Sequence, residues 1–90
     1  MKNYEIMLIA KPDEKTAEAV LSKVQKIIAD DIVRTEKWGK KRLAYEIQNL
    51  QEGYYYLIEF VANPETVREL NRVLLITEDC LRHLIIRKGE

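Results

Sequence analysis

The chain has 90 residues, enough for one domain that buries roughly 60–65% of its unfolded surface and too few for a deep enclosed cavity. Hydrophobic residues make up 47% of it, which excludes wholesale disorder, and no apolar run approaches the ~20 residues of a membrane-spanning helix. Fifteen basic residues balance fifteen acidic ones, so the total charge by itself points to no partner.

Met1-Lys2-Asn3-Tyr4 leads into an alternating segment that contains Glu5, a pattern unlike a signal peptide. Tyr4, Ile6, Leu8 and Ala10 share one face of that segment and predict a first strand over residues 2–11. Pro12 stops it. Asp13 then reads as a helix N-cap, with Glu14 favourable in the first turn. Ala17, Val20, Leu21, Val24, Ile27 and Ile28 recur at three- and four-residue intervals, which predicts an amphipathic helix ending at Asp30-Asp31. Residues 32–47 read as a long second strand bent at Gly39.

Asn49 to Gly53 has turn composition. Beyond it, Tyr54, Tyr56, Ile58 and Phe60 alternate with Tyr55, Leu57, Glu59 and Val61 in the clearest strand of the chain. Asn63-Pro64 is a helix start, and Val67, Leu70, Val73 and Leu74 supply its apolar stripe. Cys80 to Arg87 closes the pattern as a fourth strand. The order βαββαβ predicts a ferredoxin-like α+β fold: a four-stranded antiparallel sheet in the order 4-1-3-2 with both helices on one face.

Little in the chain suggests catalysis. A nucleophile needs a base beside it and a metal needs three or four ligands, yet there is one Cys, one His and one Ser. Cys80 and His83 are three apart on a strand, which predicts opposite faces. Cys80 reads as a small apolar filler and His83 as a surface strand residue, with contact to a phosphate or base as its second reading. The single Cys closes no internal disulfide, which fits a reducing cytoplasm. No cofactor, metal or small-molecule substrate is expected.

The charge is unevenly distributed. Residues 34–42 carry five basic groups against Glu36 alone, and residues 46–69 carry five glutamates against Arg68 alone. Screening beyond about 8 Å makes the local potential the quantity a phosphate feels. Lys37, Trp38, Lys40, Lys41 and Arg42 therefore admit two readings. They either protect an exposed sheet edge from aggregation or contact RNA phosphates, with Trp38 stacking on a base or anchoring the bend. The face opposite the helices would hold Glu5, Met7, Ile9, Tyr55, Leu57, Glu59 and Val61, an apolar band that points to a protein partner. RNA-recognition motifs share this topology, but Glu52 and Glu59 stand where that motif needs a basic and an aromatic residue.

Over residues 1–88 the chain resembles the ribosomal protein six family of the bacterial small subunit. The likeness lies in Tyr4-Glu5, in Trp38-Gly39-Lys40-Lys41-Arg42-Leu43-Ala44-Tyr45-Glu46-Ile47 and in Glu52-Gly53-Tyr54-Tyr55-Tyr56. The resemblance implies a cytoplasmic, non-enzymatic ribosome component that binds the central domain of small-subunit ribosomal RNA as a heterodimer with ribosomal protein eighteen. It implies RNA contact at Lys41 and Arg42, with Lys2 and Arg87 as further candidates. Many members carry a C-terminal extension that helps hold the partner; this sequence ends at Glu90. The alternative is a stand-alone ferredoxin-like interaction domain that dimerises through its open sheet face to bind a metabolite or regulate an enzyme. A small enzyme on the same fold is the least favoured reading.

Overall fold

The computed structural model describes residues 1–89. Its elements are β1 (Lys2–Ala10), α1 (Glu14–Ile28), a 3-10 turn (Ala29–Asp31), β2 (Ile32–Ile47), β3 (Leu50–Ala62), α2 (Pro64–Leu75) and β4 (Cys80–Arg87). The sheet runs β2-β3-β1-β4 with every neighbouring pair antiparallel, which is the expected order read from the other edge.

Both helices start where their caps predict. The Asp13 carboxylate accepts from the Thr16 amide at 3.0 Å, and the Asn63 carbonyl oxygen accepts from the Thr66 amide at 2.9 Å. Each satisfies an amide that the first helical turn leaves without a partner. The helices cover one sheet face. There Tyr4, Ile6, Leu8 and Ala10 of β1 and Tyr56, Ile58, Phe60 and Ala62 of β3 meet Ala17, Val20, Leu21, Val24 and Ile28 of α1 and Leu70 and Leu74 of α2. Tyr54 packs against this cluster only in part.

The hairpin between β2 and β3 differs from the expectation. Its turn is Gln48-Asn49, both with positive φ (53° and 66°), and β3 begins at Leu50 rather than after Gly53. Two left-handed residues make the tight turn whose twist matches the flanking strands. Gly53 is thus a buried strand residue. A Cβ built there would lie 2.8 Å from Ile9 Cγ2 and 2.9 Å from the Ala10 carbonyl oxygen. Only glycine lets the hairpin lie this close to the end of β1. Gly39, with φ at +84°, sits at the expected irregularity in β2.

Candidate nucleic-acid and partner interface

Residues directly opposite each other in an antiparallel pair share a face, so the strand register assigns the open face in rows. One row runs Arg34–Glu59–Glu5–Ile86 across the four strands. The next runs Glu36–Leu57–Met7–Leu84, and the third Gly39–Tyr55–Ile9–Arg82. All six residues expected to meet a partner (Glu5, Met7, Ile9, Tyr55, Leu57 and Glu59) lie on this face, half-buried by one another. Two more join them. Leu84 is 61% exposed and Ile86 48%, and both widen the apolar band toward the β4 edge.

The acids of this face are partly spoken for. Arg34 lies 3.0 Å from Glu36 and 3.4 Å from Glu59, and Lys88 lies 2.7 Å from Glu59. The Lys88 hydrogen bond, aided by the charge of Arg34, holds the Glu59 carboxyl below its ordinary range, and Glu59 raises Lys88 in return. The Trp38 indole N–H donates to Glu36 Oε1 at 2.8 Å, so the ring is tethered along β2 while 41% of the residue stays exposed.

The basic segment does not form a single patch. Lys37 stands opposite Tyr56, Lys40 opposite Tyr54 and Arg42 opposite Glu52, all on the helix-covered side; Lys41 stands opposite Gly53, on the open side. Lys37 Nζ lies 3.5 Å from Glu18 of α1, and the Tyr56 hydroxyl donates to the same Glu18 oxygen at 3.4 Å. Burial and Glu18 push the Tyr56 phenol up to about 12. Arg42 reaches a shallow cavity of about 310 Å³ beside Pro12 and the hairpin tip.

Lys2 and Arg87 lie at the other end of the sheet. They line a broader hollow of about 530 Å³ with Met1, Tyr4, Glu59 and Lys88. Lys40 is level with Ala10, across Tyr54, whereas Lys2 begins β1. Eight residues at ~3.3 Å each separate the two ends by roughly 26 Å. The expected RNA residues thus fall into two groups at opposite ends of one sheet.

Cys80 and His83 do not alternate as expected. A register shift at Ile9/Ala10 sets Cys80 opposite Ala10 and His83 opposite Leu8, both core-facing positions. They still form no pair: the thiol donates to the Arg82 carbonyl oxygen at 3.5 Å, and His83 Nε2 bonds Asn71 at 2.8 Å. Burial pushes the thiol up to about 11, away from the reactive thiolate. Among the described residues no three His, Cys, Asp or Glu side chains gather as metal ligands, and no helix is long and apolar enough to cross a membrane.

Comparison with known proteins agrees with the fold. The family described as ribosomal protein S6 matches residues 3–87. The small ribosomal subunit protein bS6 of Desulforamulus reducens is 43% identical, with both chains covered in full. That of Moorella thermoacetica is 42% identical over all of this chain and 97% of its own. The crystal structure of 30S ribosomal protein S6 from Thermotoga maritima superposes with a TM-score of 0.87 at 30% identity, over 97% of this chain and 87% of that one. An uncharacterised Thermotoga maritima protein reaches a TM-score of 0.68 at 12% identity, a likeness of fold alone. The chain belongs to the ribosomal protein S6 family.

Proposed function

We propose that this small-subunit ribosomal protein is a non-catalytic RNA-binding component that holds the central domain of small-subunit ribosomal RNA jointly with ribosomal protein eighteen, in the cytoplasm. The observation that carries the reading is the separation of two kinds of surface on one sheet. An apolar centre of Leu57, Met7, Leu84, Tyr55 and Ile9 is flanked by charge. The cations Lys2, Arg87, Lys40, Lys41 and Arg42 lie at the ends, clear of that centre.

An apolar patch inside a charged rim is how specific protein interfaces are built. Removing it from water favours association at roughly 25 cal/mol per Å², less the costs of docking. Glu5 and Glu59 at its margin favour a basic partner. A chain with no net charge gains little from counterion release by itself, so it holds RNA weakly alone and well beside a basic partner. Partner and RNA binding are then coupled and reciprocal.

The test is a titration of a central-domain ribosomal RNA fragment with each protein alone and with both together. Tighter binding by the pair supports the heterodimer. Equal affinity of this chain with and without ribosomal protein eighteen, together with a stable dimer of the chain itself, supports the homodimer reading in its place.

A further inference from the structure

Arg34 and Lys88 are absent from the RNA-contacting residues that sequence reasoning selects. Yet both converge on a single oxygen, Glu59 Oε2, at 3.4 and 2.7 Å. One cation comes from the edge strand β2 and the other from the segment after β4, with Glu59 between them on β3. A guanidinium and an ammonium around one anionic oxygen is also the coordination of a non-bridging phosphate oxygen. Lys88 and Glu59 also line the hollow shared by Met1, Lys2 and Arg87, so the site is continuous with further cations at that end of the sheet.

We propose that Arg34 and Lys88 form a phosphodiester clamp for RNA, which Glu59 fills in the free chain and which docking of a basic partner on the open face vacates. The proposal rests on the RNA-binding reading above and adds its regulation. Exchange is cheap on the cation side, because Arg34 and Lys88 are about half exposed and exposed ion pairs contribute little. Glu59 is the constrained member, with its side chain only 21% exposed. It stands opposite Glu5, so losing both cations leaves two carboxylates side by side. A cation of the partner at this position relieves that repulsion, releases Lys88, and leaves Arg34 with Glu36, at 3.0 Å, as its remaining carboxylate, an exposed pair that a phosphate can share. Partner binding thereby raises the number of phosphates the chain contacts.

The probe is a fragment of small-subunit ribosomal RNA, titrated into the full chain without its partner. Glu59→Gln should bind more tightly than the unaltered chain, and its log–log salt slope should steepen by ~0.9, one extra phosphate. The gain should vanish in an Arg34→Gln/Lys88→Gln background. Glu5→Gln removes the same charge from the same row, and its smaller gain should persist in that background. If the Glu59→Gln gain is absent, or equal with and without Arg34 and Lys88, the clamp is overturned and only the lost negative charge matters. Tighter inorganic phosphate binding without tighter RNA binding overturns the RNA assignment. Failure of the unaltered chain to bind the fragment even with its partner overturns the function proposed above as well as the clamp.

Discussion

The Arg82 guanidinium carbon lies 5.2 Å from the centre of the Tyr45 ring, although the two residues belong to strands at opposite edges of the sheet. The contact is possible because β3 runs on past the end of β1, whose last residue, Ala10, faces Tyr54. The hairpin tip beyond that point bends over the open face toward β4. Leu43 follows the same path and is the only buried residue of β2, lying 3.5 Å from the Cβ position of Gly53.

A cation–π contact at an exposed site contributes ~0.5–1 kcal/mol. Arg82→Ala and Tyr45→Ala should therefore lower global stability by no more than that. Their stronger effect should be local, as faster hydrogen exchange of the amides of residues 48–52. Unchanged exchange there in both variants would show that the tip is held by Leu43 alone.

Gly53→Ala places a methyl group against backbone, at the Ala10 carbonyl oxygen, which cannot swing aside as a side chain can. The expected loss is ~1–3 kcal/mol, the range for overpacking. Gly39→Ala meets no atom within 4 Å but must adopt φ near +84°, at a cost of ~1–2 kcal/mol. Chemical denaturation of the two variants distinguishes a clash from backbone strain. A small-to-nothing effect at Gly53 would mean that the hairpin can lift from β1 freely.

Ile58 and Leu21 are fully buried and belong to the same cluster between sheet and helices. Truncating either to Ala should cost ~2–5 kcal/mol, since a close-packed core relaxes only partly into the void. Denaturation midpoints that do not move would contradict the placement of this core.

The pH dependence has two limbs. Glu59 is held below its ordinary carboxylate value by Lys88, so its contribution is present above pH ~4.5 and fades as pH falls through the lower folded value. Burial lowers His83, a base, so the native state binds its proton less readily than the unfolded chain does. Stability from that source is complete above pH ~6.5 and declines as pH falls below it. His83→Gln, which keeps a hydrogen-bonding group for Asn71, should flatten the stability profile just below pH ~6.5 while leaving the Glu59 limb in place. A superimposable profile in the variant would remove His83 as its source.

The parts of this fold that were legible in the sequence are those with strict periodicity and caps. Ala17 to Ile28, Tyr54 to Phe60, Asp13 and Asn63 each carry a local rule that tertiary packing does not override. Gly53 was misread because a glycine beside polar residues has turn composition, whereas its reason here is the approach of Ile9 and Ala10 from another strand. Leu84 and Ile86 were missed because β4 is apolar on both faces. Their side becomes clear only from the pairing of Met7 with Leu84. The ion pairs on Glu59 join β2, β3 and the segment after β4, residues up to 54 positions apart, and no sequence pattern encodes such a meeting.

The two basic ends lead to the final prediction. Lys40 and Arg42 project on the helix side of the edge strand, Lys41 on the open side, and by strand rise Lys2 stands roughly 26 Å away and Arg87 roughly 20 Å. Sites this far apart with no shared partner should act additively. Each phosphate contact contributes about −0.9 to the log–log salt slope, so a handful of contacts gives a slope of about −2 to −4 for the complex with RNA. Lys2→Gln/Arg87→Gln and Lys40→Gln/Arg42→Gln should each make the slope shallower by up to ~2, and the quadruple variant should lose the sum. Lys41→Gln should act separately from Lys40→Gln, because the two side chains leave the strand on opposite faces. If the Lys40/Arg42 pair leaves the slope unchanged while the Lys2/Arg87 pair reduces it, RNA touches only the terminal end of the sheet. The lysines of β2 would then serve as protection of an exposed edge, and the variant should show it by aggregating at lower concentration than the unaltered chain.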